Sequence, residues 1–174
     1  MIPPAWDALV VSVYAADTAR AHAPEECMKA KDLMTPELDV VTSQTPLSEA
    51  ARLMRDRNVG SVPVVESHET MRPLGIITDR DIVVRHVAKD HDRGCSVSAH
   101  MTQGPIESVD ENDDVERVMD RMKRAEVRRV LVTDQGGRLV GIIAQADLAT
   151  SDQVPMQEVA QVLQTISEAD GARH

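Results

Sequence analysis

Two aspartates occupy matching places in this chain. Each closes a short polar turn after a Gly-Ile-Ile run, GIITDRDI at 75–82 and GIIAQADL at 141–148. A short β-branched run reads as a buried strand, and the polar residues behind it can open a helix. Thr78 and Asp81 therefore bring a hydroxyl and a carboxylate to the C-terminal end of a strand, where α/β folds commonly receive ligands. The echo keeps the carboxylate as Asp147 and has Ala144 in place of the hydroxyl. The simpler role for both aspartates is to cap the helices that follow them.

A second set of chemically capable residues is His86, His91, Cys95 and His100. Zinc takes these residue types, but structural zinc sites show tight paired spacings that this set lacks. The sequence reading is accordingly no metal, with four solvent-exposed side chains around a linker. Neither Cys27 nor Cys95 has an activating partner at an identifiable spacing, so neither reads as a nucleophile. Walker, HExxH and G-x-S-x-G motifs do not occur, which argues against an enzyme. Arg117, Arg121 and Arg124 recur at helical spacing beside Glu116, Asp120 and Glu126, as a solvated helix face does.

These residues are positioned by an internal repeat. KDLMTP at 31–36 matches SAHMTQ at 98–103, so Met34 corresponds to Met101 at an offset of 67. Extended segments at 38–42 and 106–109 each lead to a helix opener. The first helix carries Leu47, Ala50, Ala51 and Met54 on one face, and the second Val115, Val118, Met119 and Met122. Strands follow at 61–65 and 129–133, and Asp134-Gln135-Gly136-Gly137 reads as a hairpin turn. Each copy thus runs β-α-β-β-α. A last helix, opened by Pro155, presents Met156, Val159, Ala160, Leu163 and Ile166 on one face for docking. Residues 1–27, with Trp6 and Tyr14, have no counterpart later in the chain and read as a poorly ordered or docked extension.

Composition narrows the function classes. The 174 residues carry a net charge of −10, which opposes binding to nucleic acid or to an anionic membrane. One Trp, one Tyr and no Phe leave no aromatic platform for stacking bases. No apolar run approaches the ~20 residues of a membrane span. With only two cysteines, a reduced, cytoplasmic setting is expected.

The Met-Thr starts at 34–35 and 101–102, the Val-Pro-Val-Val strand at 62–65 and the two Gly-Ile-Ile…Asp ends stand in register. Together they resemble a tandem pair of CBS domains, the regulatory motif named after cystathionine β-synthase, in a stand-alone bacterial-type protein. The resemblance implies a mixed α/β (α+β) fold of two β-α-β-β-α repeats packed with pseudo-twofold symmetry. The repeats would span 28–86 and 98–150, with a linker at 87–97 and a C-terminal helix and tail at 151–174.

The resemblance also implies clefts that accept AMP, ADP, ATP, NAD or S-adenosylmethionine, with no other cofactor required. The family's Thr/Ser-x-x-Asp element carries over to Thr78 and Asp81 for ribose, and in the second copy to Asp147 alone. Basic residues before the middle strand carry over to Arg128 and Arg129 for phosphate, with Arg80 nearby. Adenine is expected against Val41 and Val65. The family further implies a homodimer, through helix faces around Ala50, Met54, Met119 and Met122. The chain length leaves no room for a fused enzyme, so the expected target is a separate partner protein. The rival reading is a structural or stress-response interaction protein that binds no nucleotide and has the option of a metal.

Overall fold

The first strand of each repeat is short because the chain arrives at it from the other repeat. The computed structural model describes residues 27–172, apart from 37, 93 and 104–105. The extension with Trp6 and Tyr14 lies outside the described residues. In the first repeat β1 (Val41–Thr42), α2 (Leu47–Arg57), β2 (Ser61–Val65) and β3 (Pro73–Thr78) follow the expected order, after a short α1 (Ala30–Leu33). The second repeat supplies β5 (Ser108–Asp110), α4 (Val115–Ala125), β6 (Arg129–Thr133), β7 (Leu139–Ala144) and α5 (Gln145–Thr150). In both, the first strand pairs parallel with the second, and the second antiparallel with the third.

The helix after β3 departs from expectation. It is a single α-turn, α3 (Asp79–Asp81), running into a π-helical turn over Ile82–His86 and a 3₁₀ turn over Val87–Lys89. Its β-branched run Ile82-Val83-Val84 is a poor helix former. π-turns recur at functional sites.

The two repeats exchange chain. β4 (Thr102–Gln103), which precedes the second repeat, pairs with β3 of the first, with Thr102 opposite Ile76. Reciprocally, Thr35 bridges to β7, its N–H donating to the Ile142 carbonyl at 2.9 Å. The segments just upstream cap the opposite repeat's helix in the same way. Leu47 N donates to Cys95 O, and Val115 N donates to Met28 O, both at 2.9 Å. Lys29 adds a 2.6 Å ion pair to Asp114. Val97, expected within a polar linker, is fully buried in the first repeat's core. The exchange needs glycine where strands cross. A Cβ on Gly75 would lie 2.5 Å from the Thr102 carbonyl oxygen, and one on Gly141 would overlap the Met34 side chain.

Each sheet buries one face against its own helices. Val41, Leu47, Ala50 and Met54 sit in the first core; Val118, Met119 and Met122 sit in the second. The faces expected to dimerise are therefore interior. The other faces meet in a seam of Val65, Leu131 and Leu139 with Leu38, Val40, Ile106 and Ile142. α6 (Met156–Ala172) docks on the second repeat through Val159, Val162 and Ile166, while Ala160 is exposed and Met156 is 72% exposed, outside the buried stripe. No helix among the described residues is long and apolar enough to cross a membrane.

Gly75→Ala should lower stability by about 1–3 kcal/mol, the usual cost of forcing extra atoms into a packed site. Urea unfolding would read this as a lower midpoint. Gly94→Ala, with nothing within 4 Å of its added Cβ, is the control expected to leave the midpoint in place.

Candidate functional site

Both aspartates cap, as the simpler role requires. The Thr78 and Ala144 N–H groups donate to Asp81 Oδ2 at 3.0 Å and to Asp147 Oδ2 at 2.7 Å. Each carboxylate at the third helical position thus reaches back to the residue before the helix. In the first repeat the hydroxyl joins in. Thr78 Oγ1 donates to Asp81 Oδ2 at 2.7 Å and accepts from Asp81 N at 3.0 Å.

The second oxygens differ. Asp81 Oδ1 is paired with Arg85 Nε at 3.4 Å, and Asp81 is only 8% exposed. Arg85 also donates from Nη1 to the His100 carbonyl at 2.9 Å. In the second repeat the corresponding residue is Ser151. Among the described residues Asp147 Oδ1 has no side-chain partner, and Asp147 is only partly buried.

Two cavities flank the seam. One, of about 300 Å³, is lined by Asp147, Ala144 and Ile142 together with Thr35, Ser61 and Arg129. The other, of about 270 Å³, lies between Gly75, Ile76 and Thr102 on one side and Ile106, Leu131 and Arg129 on the other. Thr78 and Asp81 are not among its lining residues. Arg129 reaches both, since β6 runs between them with Arg129 opposite Ala144. No described carboxylate is paired with its guanidinium.

The remaining expected residues divide by strand alternation. Val65 is buried in the seam, but Val41 faces α2 at 4% exposure, and its neighbour Val40 takes the seam side. The adenine contact expected of Val41 is corrected accordingly. Arg80 and Arg128 are exposed and line neither cavity. Arg85 was missed by the sequence reading; its only sequence signal is the four-residue spacing from Asp81.

The structure also corrects the reading of this set as four solvent-exposed side chains: His91 is exposed, but His86 and Cys95 are partly buried and His100 is buried. Ligand atoms of His86, His91, Cys95 and His100 all lie within 4.8 Å of one another. Imidazole centroids are 4.9 Å apart for His86 and His100, and 5.2 Å for His91 and His100. His100 is 2% exposed, and two buried nitrogens, His86 Nδ1 and His100 Nε2, have no hydrogen-bond partner. An unpaired buried polar group costs about 1–3 kcal/mol, so such atoms call for a ligand. Burial, then the adjacent His86 and His91, hold the His100 imidazole below its ordinary pKa. That favours the neutral form, which metals bind. Three imidazoles and one thiol make a donor set that suits zinc.

The family model of the CBS domain matches residues 30–86 and 97–153. The Uncharacterized protein YlbB of Bacillus subtilis is 39% identical over 143 residues, covering 82% of this chain and 93% of its own. A crystal structure of Hypoxic Response Protein I with two coordinated zinc ions is 29% identical, with a TM-score of 0.63, covering 74% of this chain and 100% of that one. The CBS domain pair of protein MJ0100, in complex with methylthioadenosine and S-adenosyl-L-methionine, is 25% identical with a TM-score of 0.62, covering 71% and 94%.

Removing the caps should separate the two aspartates. Asp81→Ala loses Thr78 and Arg85 together and is expected to cost about 2 kcal/mol in urea unfolding, the upper end for a cap. Asp147→Ala, losing one backbone donor, should cost about 1 kcal/mol or less.

Proposed function

The chain belongs to the CBS domain family, and from that premise we propose that it is a regulatory module that binds an adenosyl ligand between its repeats. The cavity beside Asp147 is the site the geometry supports best. One observation carries this: Asp147 keeps a carboxylate oxygen without a described side-chain partner in a cavity that also contains the Arg129 guanidinium, which has no carboxylate partner among the described residues. Asp147 accepts the ribose hydroxyls, Arg129 meets phosphate, and the base lies against the apolar seam. This moves the weight away from Thr78 and Asp81, which are hydrogen-bonded to each other, with Asp81 Oδ1 ion-paired to Arg85. AMP, ADP, ATP, NAD and S-adenosylmethionine all share the adenosyl group recognised in this way.

Because the seam holds residues of both repeats, a ligand wedged there favours one arrangement of the pair over others, and a partner protein reads that population. A homodimer is part of this reading. With the four expected residues interior, its apolar contribution falls to the exposed Val83, Val84 and Val87. Calorimetry with AMP and S-adenosylmethionine tests the site. Asp147→Ala should weaken both ligands, and Arg129→Ala should weaken AMP, each about 10- to 100-fold, as the loss of a charged hydrogen bond implies. Full affinity in both variants would sink the assignment.

The histidine cluster supports a second reading, that the module also holds zinc. The two partnerless buried nitrogens favour it, and Hypoxic Response Protein I is a related protein with coordinated zinc. His86, His91, Cys95 and His100 would be the ligands, and the metal would tie the linker to the end of the first repeat. Metal analysis after zinc loading and desalting should find one zinc per chain, and none in a His86→Ala, His100→Ala double variant. Equal content in the two proteins would place the metal elsewhere.

A further inference from the structure

We propose that Arg85 is a latch set by the metal: with zinc on the histidine cluster it holds Asp81 closed, and loss of zinc opens a second adenosyl site in the first repeat. The inference rests on both readings above and adds the regulation that joins them.

The repeat supplies an internal control. Asp81 and Asp147 sit at the same place in equivalent strand-to-helix turns, and both accept a hydrogen bond from the residue before the helix. Yet Asp147 lines one of the two cavities at the seam and Asp81 lines neither. The residue four positions beyond each aspartate is Arg85 in one repeat and Ser151 in the other. Arg85 reaches Asp81 Oδ1 at 3.4 Å, occupying the carboxylate oxygen that capping leaves over. Serine is too short to do this. The cavity on that side, about 270 Å³, is already walled by Ile76, two residues before Thr78.

Arg85 is itself held from the metal cluster on two sides. Its Nη1 donates to the carbonyl of His100 at 2.9 Å, and the next residue along the π-turn is His86. Both histidines belong to the four-residue donor set, and each contributes a buried nitrogen without a partner. A bound metal satisfies those nitrogens and fixes the two backbone points that aim the guanidinium. Without it, those two nitrogens hold neither point, and an ion pair with a half-exposed arginine is weak by itself. His100 also lies two residues before β4, whose Thr102 forms part of the same cavity wall. The metal thus controls both the carboxylate and one wall of the cavity, which makes it antagonistic to ligand there. By linkage, ligand at Asp81 weakens zinc to the same degree.

The test is calorimetric titration with AMP, with bound zinc measured in every sample. Zinc-loaded wild type should bind one AMP per chain, lost in Asp147→Ala. Chelator-stripped wild type should bind two, the second lost in Asp81→Ala. Arg85→Met keeps all four metal ligands and should bind two AMP per chain while still loaded with zinc. This arm remains decisive if stripping disturbs the fold, which circular dichroism would report. The same AMP stoichiometry in loaded wild type, stripped wild type and Arg85→Met, with zinc retained in the loaded samples, overturns the latch alone. Wild type that retains no zinc overturns the metal reading and metal control with it. Wild type that binds neither AMP nor, in a parallel titration, S-adenosylmethionine in any state overturns the adenosyl reading.

Discussion

The reciprocal exchange of chain between the repeats is the constraint on which the rest of the structure depends. Thr35 pairs with β7 and Thr102 with β3, so each sheet is completed by residues that precede the other repeat's first strand. The same segments satisfy the first backbone donors of the opposite helices, Leu47 on Cys95 and Val115 on Met28. Unsatisfied donors at a helix start are costly when buried, so neither repeat is complete without its partner's approach. The exchange also aligns the two sheets face to face and encloses the seam around Val65 and Leu131. Cavities lined by both repeats follow directly.

On this symmetric frame, the proposed function rests on a few asymmetric side chains. Arg85 corresponds to Ser151 in the other repeat, Thr78 to Ala144, and Arg129 to Ser61. None of these differences disturbs the core, because each lies at the end of a strand or on a turn. The histidine cluster is a difference of the same kind. It belongs to the crossing that leads into the second repeat; at the equivalent of His100, the crossing into the first repeat carries Leu33. One frame therefore carries one aspartate paired with an arginine, one with a single backbone donor, and a His/Cys donor set attached only to the first.

Much of the fold was legible because it depends on local pattern. The helical spacing of Val115, Val118, Met119 and Met122 reports burial on one face, which the structure repeats, and the apolar run at 61–65 forms a strand buried at every position. Misreadings came where a one-residue choice decides a face. Val41 and Val40 are both apolar, and nothing local says which looks at α2 and which at the seam. The docked face of α6 likewise turned on Val162, which replaces Met156 and Ala160 in the buried stripe.

The sequence by itself determined the two repeats, their order of elements, their family resemblance and the paired aspartates at the strand ends. These are properties of periodicity and of residues close together in the chain. The tertiary structure alone decided which aspartate is ion-paired, because Asp81 meets Arg85, and Arg85 also donates to a carbonyl fifteen residues away. It alone gathered His86, His91, Cys95 and His100, whose irregular spacing conceals a cluster only 4.8 Å across. That proximity comes from the turns after β3 and from β4 returning to pair with it, a long-range contact that no local pattern encodes.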